Sequence, residues 1–203
     1  GAIAATTAAD ILFVTAAGNG NALGRGYDID ADPIYPASIP ASNTIVVGAS
    51  GQFDELARFS NYGQNTVDLL APGVGILSTV PADRGSYASL TGTSMAAPLV
   101  TGTAALIASN LPDIGVDELK SAILSTVDTT DDLAGKVATG GRLNTAAALA
   151  IDTYRPRVTL VSGNGVSSYG HQAYPLTITV RDNVGINLDS LDGNDLQLID
   201  SDG

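Results

Sequence analysis

The sequence predicts an α/β fold: a mostly parallel sheet with helices on both faces, in three layers. Short apolar and β-branched runs that end at glycine or proline, Ile11 to Val14, Ile45 to Val47 and Val67 to Leu70, read as buried strands. Segments with helical spacing alternate with them, the longest running from Met95 to Ile107. After Tyr154-Arg-Pro-Arg157 the pattern changes to period-two alternation, which sets a limit to that fold and starts a β segment.

Taken in order, Ala2 to Ala9 reads as the end of a helix feeding straight into the Ile11 strand, so the chain is expected to begin inside a βαβ unit. That strand ends at Gly18 and leaves Asn19 at its carboxyl end, where open α/β sheets bind ligands. An Asn after Gly is in general a turn residue, but its amide there can also donate to a carbonyl oxygen that is becoming tetrahedral. Thr91-Gly-Thr-Ser-Met-Ala-Ala-Pro98 then runs from a turn into a helix whose Leu99, Val100, Ala104, Leu106 and Ile107 predict burial, with Gly102 allowing close packing. Thr93 and Ser94 can serve simply as N-cap residues. A hydroxyl at this point also sits beside free backbone N–H groups and the positive end of the helix dipole, which stabilise an oxyanion. Pro98 is expected in or just after the first turn, where a missing N–H matters little. Asp113 or Gly115 opens the next helix, with Asp117 and Glu118 in its first turn and Leu119, Ala122 and Ile123 on one face. Asn144 is expected to cap a last helix.

Gly92-Thr-Ser-Met-Ala-Ala-Pro98 resembles the nucleophile signature of the subtilisin-like serine proteases, and Ala16-Ala-Gly-Asn19 resembles their oxyanion segment. Tyr35-Pro-Ala-Ser38 with Asn43 to Gly48 resembles the segment that closes the specificity pocket. Val67 to Gly73 and Gly75 to Thr79 resemble the strands that lead to the serine, and Gly141 to Ala148 the closing helix, all in the family's order. The resemblance covers residues 1–153 and implies a subtilisin-like fold whose N-terminal half is absent. It implies a serine endopeptidase that forms an acyl-enzyme on Ser94, with Asn19 and the Ser94 N–H as oxyanion donors. It further implies substrate binding by Ala16, Ala17, Gly18, Ile34 and Thr93, and a cis Tyr35-Pro36 bond. Small walls and an apolar base imply an uncharged P1 side chain.

The family's aspartate and histidine precede the serine, in Asp-Ser/Thr-Gly and His-Gly-Thr contexts that do not occur in this chain. Its one histidine, His171, follows Ser94 and is expected on the surface of another domain. The order Ser, Asp, His is that of α/β-hydrolases, but Gly92-Thr-Ser-Met-Ala96 ends in Ala where the nucleophile elbow needs Gly. The triad's other members are therefore expected upstream of Gly1, and the chain alone is expected to be inactive.

Residues 154–203 resemble the first strands of an immunoglobulin-like or cadherin-like sandwich, too few to bury a core, with adhesion, spacing or substrate capture as its expected use. A rival reading makes the whole a surface-adhesion protein with a decayed protease domain. The 203 residues carry a net charge of −12 with few lysines, which argues against nucleic acid or an anionic membrane as partner, and no cysteine, so nothing demands an oxidising compartment. No apolar run reaches membrane-spanning length, and the expected setting is extracellular or at the cell surface, acting on proteins or peptides. The chemistry requires no cofactor. Structural calcium is possible, at Asp28-Ile-Asp-Ala-Asp32 or among Asp189, Asp192, Asp195, Asp200 and Asp202, neither of which has an EF-hand pattern.

Overall fold

The structure, a computed structural model, describes residues 2–150 and two later strands. The elements are α1 (Ala2–Ala8), β1 (Phe13–Ala16), β2 (Thr44–Ser50), β3 (Leu69–Pro72), β4 (Ile76–Thr79), β5 (Tyr87–Leu90) and α2 (Thr93–Asn110). They continue with α3 (Val116–Leu124), β6 (Asp128–Thr129), β7 (Gly141–Arg142), α4 (Thr145–Ala150), β8 (Arg157–Ser162) and β9 (Thr177–Arg181).

One sheet has the order β1-β2-β3-β7-β6. The first four strands run parallel and β6 is antiparallel to β7. β2 is buried along its whole length, and its pleat sorts the core into two. Ile45, Val47 and Ala49, with Leu69 and Ala71 of β3, pack against Ala96, Val100, Ala104 and Ile107 of α2 and against α3 and α4. Val46 and Leu70 point the other way, into a second cluster closed by Ile29, Ala37, Leu133 and Val137 from loops and turns. Each fully buried Ile, Leu or Val contributes about 1.5–3 kcal/mol to folding.

β1 begins two residues later than the sequence pattern suggests, and Ile11 is exposed. The cause is the way α1 stops. Asp10 adopts φ 54° and the Ile11 N–H reaches back to the Thr6 carbonyl at 3.0 Å, a Schellman-type ending that still occupies Ile11. The Asp10 carboxylate meanwhile accepts the Val116 N–H at 3.0 Å and so caps α3. Gly115 stands at that N-cap, and its own N–H donates to Glu118. At α4 the expected cap is present: the Ala147 N–H donates to Asn144 Oδ1 at 2.9 Å.

Burial of α2 is one-sided among the described residues. Val100, Ala104 and Ile107 face the sheet, whereas Leu99 and Leu106 are 38% and 50% exposed and a Cβ on Gly102 would meet nothing within 4 Å. Pro98 also departs from expectation. It lies inside the helix, beyond the first turn, where its missing N–H would have served the Ser94 carbonyl.

Contacts divide the chain into residues 1–151 and 152–203. In the second unit β8 and β9 form an antiparallel pair, with Val158 opposite Val180 and Leu160 opposite Ile178. The remainder of the expected sandwich, with His171 and the late aspartates, lies outside the described residues.

Candidate active site

β1 and α2 bring the two sequence motifs together. The chain leaves β1 at Ala16, and the Ala17 N–H still bonds Val47 of the neighbouring strand at 2.9 Å. Gly18 and Asn19 then meet the start of α2. There the Thr93 N–H and the Thr93 hydroxyl both donate to Asn19 Oδ1, each at 2.9 Å. The Thr93 hydroxyl in turn accepts the Gly18 N–H at 3.2 Å. With its oxygen occupied twice, the Asn19 amide presents Nδ2 as its remaining donor, beside the residue that precedes Ser94.

Ser94 is exposed in the first turn of α2, and Asn19 is exposed as well. The turn that delivers Ser94 is anchored from behind by the Gly92 N–H, which donates to the Gly73 carbonyl at 2.8 Å. A side chain at position 92 would press on the Asn19 amide, since its Cβ would lie 3.2 Å from Nδ2. The arrangement thus offers a hydroxyl at a helix start and an oriented amide held by the residue before it, parts suited to stabilising a tetrahedral oxyanion.

Of the expected substrate-binding residues, Ala16, Gly18 and Ile34 are partly accessible. Gly18 has φ 91°, and a Cβ there would come within 2.6 Å of Ile34 Cδ1, so Ile34 stands directly against it. The Tyr35-Pro36 bond is cis, as expected. Its turn is closed by a reciprocal pair: Ile34 N–H to the Ser38 hydroxyl at 3.1 Å, and Ser38 N–H to the Ile34 carbonyl at 2.7 Å.

Ala17 and Thr93 call for correction. They are 0% and 1% exposed, so neither side chain can touch a substrate. Ala17 belongs to the second core cluster, and Thr93 lies behind Asn19 and holds it. A further participant, Asn61, was not anticipated from the sequence. It is buried at 1% exposure, and its Nδ2 donates to the Ala17 carbonyl at 2.9 Å. Its signal is Phe59-Ser-Asn-Tyr-Gly63, a polar pair inside an otherwise apolar segment between two core strands.

Two carboxylates of the Asp28 loop, Asp28 and Asp30, help to shape it. Asp28 accepts the Asp30 N–H at 2.9 Å, and Asp30 accepts both the N–H and the side-chain amide of Asn65. Burial pushes the Asp30 carboxyl up, but hydrogen bonds from Thr66 and Asn65 together bring it below the ordinary carboxylate value. Asp68 behaves oppositely. Burial raises it in spite of the Val46 N–H at 2.7 Å and the Lys120 ammonium at 3.8 Å. Among the described residues no group of three or more His, Cys, Asp or Glu is placed to hold a metal ion. No described helix is long and apolar enough to cross a membrane.

The chain is similar to known proteins over most of its length. A Penicillium rubens protein, subtilisin-like serine protease Pen ch 18.0101, is 35% identical over 93% of this chain and 36% of its own length. A thermophilic serine proteinase of Bacillus sp. strain AK1 is 52% identical over 44% of the chain and 21% of its own. In three dimensions the chain is similar to one in the structure of the subtilase cytotoxin SubAB, with TM-score 0.63 and 29% identity over 73% of this chain and 51% of that one. The chain therefore spans about a third of the length of the Penicillium relative it matches. The profile of the subtilase family, peptidase S8, matches residues 1–156, and the chain belongs to that family.

Proposed function

We propose that this chain carries the nucleophile and the oxyanion hole of a serine endopeptidase. The observation that carries the reading is the pair of hydrogen bonds from Thr93 to Asn19 Oδ1, which leaves the amide donor free beside Ser94. Ser94 Oγ attacks the scissile carbonyl carbon and gives its proton to a base, and the carbonyl oxygen takes the negative charge. Asn19 Nδ2 and the Ser94 N–H donate to that oxygen. As the C–N bond breaks, the protonated base passes its proton to the departing amine, leaving an ester on Ser94 that water hydrolyses.

We assign the histidine base and its carboxylate to the part of the parent protein outside this chain, which matches 36% of its Penicillium relative. Ala16, Gly18 and Ile34 form the surface against which the P1 side chain rests, and their small and apolar character favours an uncharged residue there. The substrates are extracellular proteins or peptides. The chemistry uses no cofactor, and calcium, where it binds, is structural; heat on calcium addition in isothermal titration reports such a site.

A fluorophosphonate probe tests the assignment. In the full-length protein it labels Ser94, and a Ser94→Ala variant escapes labelling. Unlabelled full-length protein under native conditions overturns the enzymatic reading in favour of a decayed protease domain. A peptide library profile dominated by P1 Arg or Lys removes the proposed pocket preference.

A further inference from the structure

We propose that Asn61 is the positioning residue of the oxyanion hole, fixing where Asn19 and the Gly18 wall stand. The inference rests on the assignment of Asn19 as oxyanion donor. Beyond Ala16 the chain has left β1, so the backbone groups that lead to Asn19 need other partners. All four polar groups of Ala17 and Gly18 have one. Val47 takes the Ala17 N–H and the Thr93 hydroxyl takes the Gly18 N–H. Both carbonyls belong to Asn61: its Nδ2 donates to Ala17 at 2.9 Å, and its backbone N–H donates to Gly18 at 3.0 Å.

Asn61 is itself held in a single orientation. Its Oδ1 accepts the Tyr27 N–H at 3.2 Å, so the amide cannot turn over without facing N–H against N–H and oxygen against oxygen. The Ser60 hydroxyl ties the residue to the sheet by accepting the Ala49 N–H at 2.8 Å and donating to the Asn61 carbonyl at 3.0 Å. Asn61 also limits the wall directly, because its Nδ2 lies 2.7 Å from where a Cβ on Gly18 would sit. The buried Asn61 amide thus connects the Tyr27 loop to the donor segment, and Ser60 joins its backbone to β2. Loss of the Nδ2 hydrogen bond frees the Ala17 carbonyl, and the displacement passes through Gly18 to Asn19.

The test is a double-mutant cycle in the full-length enzyme, with active sites counted by fluorophosphonate labelling. Asn61→Ala lowers kcat per labelled site about tenfold when Asn19 is intact, and less than about twofold in an Asn19→Ala background. Asn61→Asp keeps an acceptor for Tyr27 but sets a carboxylate oxygen against the Ala17 carbonyl, and it lowers kcat at least as much. Equal losses in the two backgrounds overturn the proposal, as does an Asn61→Ala enzyme whose melting temperature falls while kcat per site stays unchanged. An Asn19→Ala enzyme with full kcat overturns the donor assignment and this inference with it. Should Asn61→Ala fail to fold, Asn61→Ser, which retains a hydroxyl donor, is read in the same cycle with the same criteria.

Discussion

Asn19 and Thr93 lie 74 residues apart in sequence and share two hydrogen bonds of 2.9 Å, one from the Thr93 backbone and one from its hydroxyl. The Thr93 hydroxyl also receives the Gly18 N–H, so it restrains both the amide and the backbone that carries it. Thr93→Val keeps the backbone donor and the side-chain shape but removes the hydroxyl. Steady-state kinetics of the full-length enzyme are expected to show kcat lowered about tenfold with KM little changed, since the loss falls on the transition state. A proportional rise in KM at constant kcat contradicts this role.

Gly18 is confined on both sides, by Ile34 Cδ1 and Asn61 Nδ2, at φ 91°. Gly18→Ala therefore meets steric overlap and backbone strain at once, and is expected to lower stability by about 1–3 kcal/mol in thermal unfolding. An unchanged melting temperature would show that this segment yields more readily than its packing implies.

Asp10 joins the end of α1 to the start of α3 through one hydrogen bond to Val116. Asp10→Ala leaves that N–H uncapped and also places Ala where the backbone holds φ 54°. Chemical denaturation is expected to register a loss of about 1–2 kcal/mol, and Asp10→Asn, which keeps a side-chain oxygen and tolerates that geometry, less than half of it.

Asp30 and Asp68 give pH dependences of opposite sign. The Asp30 carboxyl lies below the ordinary value of 3.8, so its contribution is present above that value and disappears as pH falls through the lowered one. The Asp68 carboxyl lies above 3.8, so its contribution is full below that value and declines as pH rises through the raised one. Melting temperatures from about pH 3 to about pH 7 test both. Relative to the unsubstituted protein, Asp30→Asn should gain on acidification and Asp68→Asn should gain as pH rises above 3.8. Parallel curves for either variant refute its assignment.

Ser94 and Asn19 were legible because Gly92 to Pro98 and Ala16 to Asn19 resemble the family's nucleophile and oxyanion segments, whereas their local chemistry alone is equally that of a helix cap and a turn residue. The three parallel core strands were legible from local pattern, as continuous apolar runs closed by glycine or proline. What escaped depends on partners far along the chain. The Asn61 side chain meets Ala17 across 44 positions, and no pattern near Asn61 names that partner. Thr93 reads as a surface cap or a substrate contact until the fold buries it behind Asn19. Pro98 was misplaced because helix starts are read from sequence to within a turn, and α2 begins at Thr93.

β1 stands at one end of the sheet and has β2 as its sole strand neighbour among the described residues. Half of its backbone hydrogen-bonding capacity faces away from β2, and the carboxyl end of this same strand leads within three residues to Asn19. A strand added along Phe13–Ala16 would pair with the same segment that leads into Asn19, so the open edge of the sheet and the placement of that amide share one stretch of backbone.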